Sequence, residues 1–136
     1  DAPPLKIVVD DAAHLSKHMA ISMFYWFPRI APGGVFVMED IQPIRAANKF
    51  RTQFLPQMMN DLHFCGDPNE NEDNPCFPQL QPFLAGIHCE MHICIFTRND
   101  KPAIEPSLEE STAPEGALDL KTCKALDESW GTTGDN

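Results

Sequence analysis

Two short stretches hold most of the residues that could do chemistry. Ile7 to His14 reads IVVDDAAH, and Val35 to Asp40 reads VFVMED. Each is a β-branched, apolar run that stops abruptly in two carboxylates, as expected where a buried parallel strand leaves its sheet. Asp10, Asp11, Glu39 and Asp40 brought together would repel one another unless a cation or a protonated partner lay among them. A metal site is the economical reading. Carboxylate oxygens are hard ligands, so Asp11, Glu39 and Asp40 suit Mg²⁺, Mn²⁺ or Ca²⁺ over zinc or copper. His14 stands beside them, and an imidazole, with a free-solution pKa of about 6.5, can take a proton near neutrality. The same residue can instead be a helix-start histidine bonded to a carboxylate, and both readings stay open. His18, one helical turn on, is expected at the surface or in a supporting position.

For these groups to meet, the intervening chain has to return the second strand beside the first. His14 to Phe27 is one helix long, and Pro32-Gly33-Gly34 makes a tight turn after it, so the unit reads strand, helix, turn, strand. Such crossovers are right-handed, and both strands open their carboxyl ends on the same edge of the sheet, where ligands of open α/β sheets bind. One constraint follows from strand geometry. Consecutive side chains point to opposite faces, so Glu39 and Asp40 can share an ion only if the chain turns out of the strand between them, and the same holds for Asp10 and Asp11.

The spacing predicts a first strand over Leu5 to Asp10 and a helix whose apolar stripe is Leu15, Met19, Met23, Trp26 and Phe27. The aromatic run Phe24-Tyr25-Trp26-Phe27 reads as core packing in preference to substrate stacking. Pro43 allows a second helix over Ile44 to Leu62, broken near Pro56, with Arg45, Lys49 and Arg51 on a solvated face. Gly66 to Pro82 is a long loop, and Leu84 to Arg98 is either one long strand or a hairpin pivoting near Glu90 and Met91. His88 and His92, four apart in that segment, lack a completing ligand set and are expected to be structural.

With 136 residues the chain has enough length for one core and too little for a complete doubly wound nucleotide-binding fold. Its formal charge is −10, of which −6 falls after Arg98, and this acidity argues against nucleic acid as a partner. No apolar run reaches membrane-spanning length. Five cysteines, Cys65, Cys76, Cys89, Cys94 and Cys123, form neither an even set nor a CxxC pattern, which argues against a disulfide framework and a zinc ribbon. Cys65 and Cys76 could pair across their loop in an oxidising compartment. A reducing, soluble compartment is the default, with an organelle open if a leader is removed. The sequence starts at Asp1 with no Met, so the expectation is a processed leader or an absent N-terminal part.

VVDDAAHLSKH, followed by FPRIAPGGVFVMEDIQ, resembles the DDGSH and PGGxxxxED segments of metal-dependent class I S-adenosylmethionine methyltransferases, in particular the macrocin-type sugar O-methyltransferases. The likeness runs from Leu5 to Gln42 and continues more loosely through FLPQMMNDLHF to AGIHCEMHICIFTR. It implies an α/β fold, a partial doubly wound, Rossmann-like methyltransferase sheet. It also implies a divalent cation such as Mg²⁺ on Asp11, Glu39 and Asp40, His14 as general base, and methyl transfer from S-adenosylmethionine to a hydroxyl of a small molecule. Ala12-Ala13 replaces the family's Gly-Ser. The family's glycine-rich loop and acidic ribose ligand belong to its first half, and nothing before Leu5 can supply them.

Residues 1–98 are accordingly expected to form a C-terminal half-domain and 99–136 an acidic, Pro/Ser/Thr-rich tail ordered against a partner. The strand edge at 5–9 would need another chain or the N-terminal half to cover it. Two functions stay in play: an O-methyltransferase, and a non-catalytic, methyltransferase-derived accessory subunit of a larger complex.

Overall fold

A computed structural model describes residues 3–42, 47–64 and 75–104. Four strands, β1 (Ile7–Asp10), β2 (Val35–Met38), β3 (Leu84–Glu90) and β4 (Ile93–Arg98), form one sheet in the order β1-β2-β4-β3. β1 and β2 are parallel, with Ile7 opposite Val35 and Asp10 opposite Met38. β4 runs antiparallel to both β2 and β3, so the sheet is mixed. The crossover between β1 and β2 is the expected helix, α1 (Ser16–Trp26).

Alternation along the strands decides which face is core. Phe36 and Met38 of β2, and Cys94, Phe96 and Arg98 of β4, all point to one face and are buried. α1 covers that face with Ser16, Met19, Ala20, Met23 and Phe24, spaced three and four apart as one helical stripe. Two positions of the expected stripe differ. Leu15 and Trp26 are exposed, because Leu15 precedes the helix and Trp26 lies on its outer side. The aromatic run divides accordingly: Phe24 and Phe27 are core, Tyr25 is half-buried and Trp26 is open to solvent.

The second helix has no break at Pro56. Proline lacks an N–H for the ladder, and the helix absorbs it by widening into a π-turn over Phe50–Phe54, where the Leu55 N–H donates to Phe50 O, before continuing as α2 (Leu55–Leu62). Phe54 sits at the centre of the aromatic core, stacked on Phe50 and Phe77 with centroids 4.9 and 4.8 Å away and meeting the Phe24 ring edge-on at 6.0 Å. The buried Asp61 carboxylate accepts the Cys76 and Phe77 amides at 2.7 Å each and so fixes the segment that carries Phe77. Burial pushes its carboxyl above the ordinary aspartate value, against the pull of those two amides.

Leu84 to Arg98 is a hairpin, turning at Met91 and His92. His88 and His92 therefore do not share a strand face: His92 is in the turn with φ 64°, and His88 contacts Glu90 at 3.4 Å. Cys89 and Cys94 face each other across this hairpin and form a disulfide, a pairing that the odd cysteine count concealed. Cys76 is also disulfide-bonded, and the Cys65 of the expected Cys65–Cys76 pair lies outside the described residues. So do Arg45, most of the Gly66–Pro82 loop and residues 105–136 of the tail.

The opposite face of the sheet is apolar and less covered. Ile7 is 63% exposed and Val9 52%, and Val35, Val37 and Ile95, which share their face, are half-buried. β1 is an edge strand with Ile7 and Val9 open to water, while Val8 packs against the core on the other face. No described helix is long and apolar enough to cross a membrane.

Candidate metal centre

The carboxyl ends of β1 and β2 do open side by side. Glu39 N–H donates to Asp10 O at 3.0 Å, one residue beyond the strand ladder, and clamps the two exits together. On the β1 side, Asp10 Oδ1 accepts the Ala12 amide at 3.2 Å, a local side-chain turn that bends the chain out of the strand. That bend frees Asp11 to project at the mouth, 58% exposed. His14 then adopts φ 51°, a left-handed conformation that turns its ring back over Asp11 before the helix begins.

The β2 side makes the turn that strand geometry demands. Asp40 takes φ 53°, which breaks the alternation between Glu39 and Asp40. Gln42 holds the result twice, its backbone N–H donating to Asp40 O at 2.7 Å and its side-chain amide to Asp40 Oδ1 at 3.1 Å. The Ile41 N–H donates to His92 O at 2.9 Å, so the β3–β4 turn braces this exit from the other side.

The outcome is a group of three. His14 Nε2 lies 3.1 Å from Asp11 Oδ1 and 3.2 Å from Asp40 Oδ2, and one ligand atom from each of Asp11, His14 and Asp40 falls within 4.8 Å of the others. Two carboxylate oxygens and an imidazole nitrogen, partly exposed and unsupported by any described lysine or arginine, are a donor set that fits a hard divalent cation. Glu39 is half-buried beside them but is not a member of the group, and Asp10 spends its carboxylate on Ala12. The topology thus gathers three of the five groups at that mouth.

A cavity of about 480 Å³ opens next to His14, between the β1 exit and the outer side of α1. Ala12, Ala13, His18, Ser22, Tyr25 and Trp26 line it, so the exposed end of the aromatic run faces this space. Gln42 and His92 were not legible as site residues. The Asp-x-Gln spacing is a weak signal, and His92 occupies a left-handed turn position that normally announces itself as Gly or Asn.

No family model matches the chain. Among characterised proteins it is similar to the 8-demethyl-8-alpha-L-rhamnosyl tetracenomycin-C 2'-O-methyltransferase of Streptomyces olivaceus, 46% identical over 39 residues, covering 29% of this chain and 10% of that protein. Demethylmacrocin O-methyltransferase of Streptomyces fradiae is 42% identical over 38 residues, 28% of this chain and 10% of that protein. A longer match, 24% over 107 residues, joins 70% of this chain to 27% of the Streptomyces olivaceus 8-demethyl-8-(2-methoxy-alpha-L-rhamnosyl)-tetracenomycin-C 3'-O-methyltransferase.

Among solved structures, the MycE methyltransferase from the mycinamycin biosynthetic pathway, in complex with Mg, SAH and mycinamycin VI, superposes with a TM-score of 0.53 at 19% identity. That match covers 85% of this chain and 31% of that one. The chain therefore has the α/β fold of part of a methyltransferase, and it spans a third or less of the relatives named here.

Proposed function

We propose that this chain is the C-terminal half-domain of a metal-dependent O-methyltransferase, which transfers a methyl group from S-adenosylmethionine to a hydroxyl of a small molecule. The observation that carries this reading is the gathering of Asp11, His14 and Asp40 at the shared exit of β1 and β2. In this reading Asp11 and Asp40 hold Mg²⁺ or a similar divalent cation, joined by Glu39. The cation, when bound, supplies Lewis-acid stabilisation of the acceptor oxygen as that oxygen loses its proton.

The chain's own residues do the rest of the work assigned to it. His14 takes the hydroxyl proton as the oxygen–methyl bond forms, its imidazole held at the mouth between Asp11 Oδ1 at 3.1 Å and Asp40 Oδ2 at 3.2 Å. Gln42 fixes Asp40 so that only its Oδ2 faces the reacting centre. The cavity beside His14, with Trp26 and Tyr25 along one side, would receive the body of the acceptor and exclude water from the hydroxyl.

The methyl donor is a different matter. None of the described glycines lies in a strand-to-helix turn that could cradle it: Gly33 and Gly34 precede β2, and Gly86 is inside β3. We assign donor binding to further polypeptide, which would also cover Ile7 and Val9 on the open edge of β1. Burying those two side chains would contribute roughly 2–4 kcal/mol to the association.

The experiment is a methyl-transfer assay on the complete protein with S-adenosylmethionine and a glycosidic hydroxyl acceptor. Turnover should require Mg²⁺ or Mn²⁺, stop on chelation, and fall on the order of 10²-fold or more when His14 is replaced by Gln. Turnover indifferent to chelation, or full activity in the His14→Gln protein, would rule the mechanism out. A complete protein without transferase activity would favour the accessory-subunit role.

A further inference from the structure

All three non-glycine residues with positive φ among those described, His14, Asp40 and His92, belong to one connected patch. Two are in the cation group. The third, His92, holds that group through its carbonyl, which accepts the Ile41 N–H next to Asp40. A left-handed conformation is unfavourable for a non-glycine residue and persists only where its surroundings impose it. For His92 the imposing element is the end of the hairpin, closed by the Cys89–Cys94 disulfide three residues before and two after it.

The disulfide also touches the β2 exit from the side. Cys94 pairs with Met38, the last residue of β2 before Glu39 and Asp40, and is 3% exposed, while Cys89 is exposed to solvent. One sulfur is thus packed against the strand that carries Asp40, and the other is open to an attacking thiolate. Solvent access is what separates exchangeable disulfides from inert structural ones. The pair is an ordinary cross-strand neighbour pair, with Cα atoms 4.1 Å apart, so the hairpin can persist without the bond.

Resting on the cation-site reading above, we propose that the Cys89–Cys94 disulfide is a redox control on that site: a dithiol reductant opens it, the His92 turn loosens its grip on Ile41, and Asp40 loses its fixed position. The step is a two-electron exchange. A dithiol's thiolate attacks Cys89 Sγ, Cys94 leaves as a thiolate and takes a proton, and the dithiol closes to its own disulfide as Cys89 is released as a thiol. Oxidation restores the bond and the site.

The test titrates Mn²⁺ into the full chain, oxidised and dithiol-reduced, and follows amide exchange at Ile41 and Gln42 in parallel. Cys89→Ser, which replaces the exposed member and leaves Cys94 in its packing, is the permanently open control. The proposal expects affinity to fall on the order of 5- to 10-fold on reduction, within the usual range of coupling between sites, with faster exchange at Ile41. It expects Cys89→Ser to match the reduced form and to ignore the reductant. Equal Mn²⁺ affinity in both redox forms would overturn the redox proposal and leave the cation site standing. Absence of Mn²⁺ binding in either form would remove the cation site and this proposal together.

Discussion

Where β2 enters the sheet, the chain is tied at almost every atom. Gly34 passes so close to its neighbours that an added Cβ would run into Lys6 O and Ile30 Cγ2, and the Gly34 carbonyl accepts the Arg98 amide at 2.9 Å. The buried Arg98 guanidinium donates to Ile30 O and Lys101 O and lies over the Phe83 ring at 4.8 Å. Burial lowers its affinity for a proton, yet a guanidinium is too strong a base to lose its charge there, and it stays charged although its buried Nε has no hydrogen-bond partner among the described residues. Where β2 leaves, four residues further on, the chain is half-exposed and strained at Asp40, and it is held by the Glu39–Asp10 backbone bond, by His14 and Gln42 on the Asp40 carboxylate and by the His92 carbonyl. One end of the strand is organised for rigidity, and the other is left open where we propose that a cation binds. Substitutions should therefore separate cleanly into those that unfold and those that disarm.

The largest effect belongs to the entry. Gly34→Ala has to displace backbone at Lys6, and we expect a loss of about 3 kcal/mol or more in urea unfolding, with cation affinity per folded molecule unchanged. Arg98→Met should follow at about 2–3 kcal/mol, since it strands the buried Ile30 carbonyl and frees that of Lys101 while preserving most of the packing. If either variant is as stable as the parent, the contrast between the two ends fails at its rigid side.

The exit should behave in the opposite way. Asp40→Asn is expected to weaken Mn²⁺ binding at least 10-fold, about 1.4 kcal/mol, with a thermal midpoint within a degree or two of the parent. Glu39→Gln should cost less than Asp40→Asn, because Glu39 lies outside the group of converging ligand atoms. The smallest and most diagnostic change is His14→Gly. Removing the side chain from φ 51° should raise stability by up to about 1 kcal/mol in the same unfolding assay while lowering methyl transfer as His14→Gln does. A destabilised His14→Gly protein would show that the conformation is not strained.

The sequence made the β1–α1–β2 crossover readable because its signals are local: two β-branched runs, a helical stripe between them and Pro-Gly-Gly at the return. The carboxylates at the exits were readable for the same reason. What escaped was set by contacts distant in sequence. Nothing local announces that His92 will support Ile41, some fifty residues earlier, or that Cys89 and Cys94 will lie opposite each other once the hairpin forms. The π-turn escaped because a proline inside a helical pattern ordinarily signals a break, whereas here the Phe50–Phe54–Phe77 stack holds the helix together through it. The turn that breaks the strand alternation between Glu39 and Asp40, φ 53° at Asp40, also follows from contacts distant in sequence, with Ile41 tied to the His92 carbonyl.

In the proposed site Asp11 and Asp40, from two strand exits, hold one divalent cation between them. Calorimetric titration of Mn²⁺ into the full chain, alongside Asp11→Asn and Asp40→Asn, puts that sharing to the test. We expect one ion per parent chain and a severe loss in each variant, with the double variant little worse than either single one. Binding that survives in both variants, or independent and additive losses, would contradict a shared ion at this mouth.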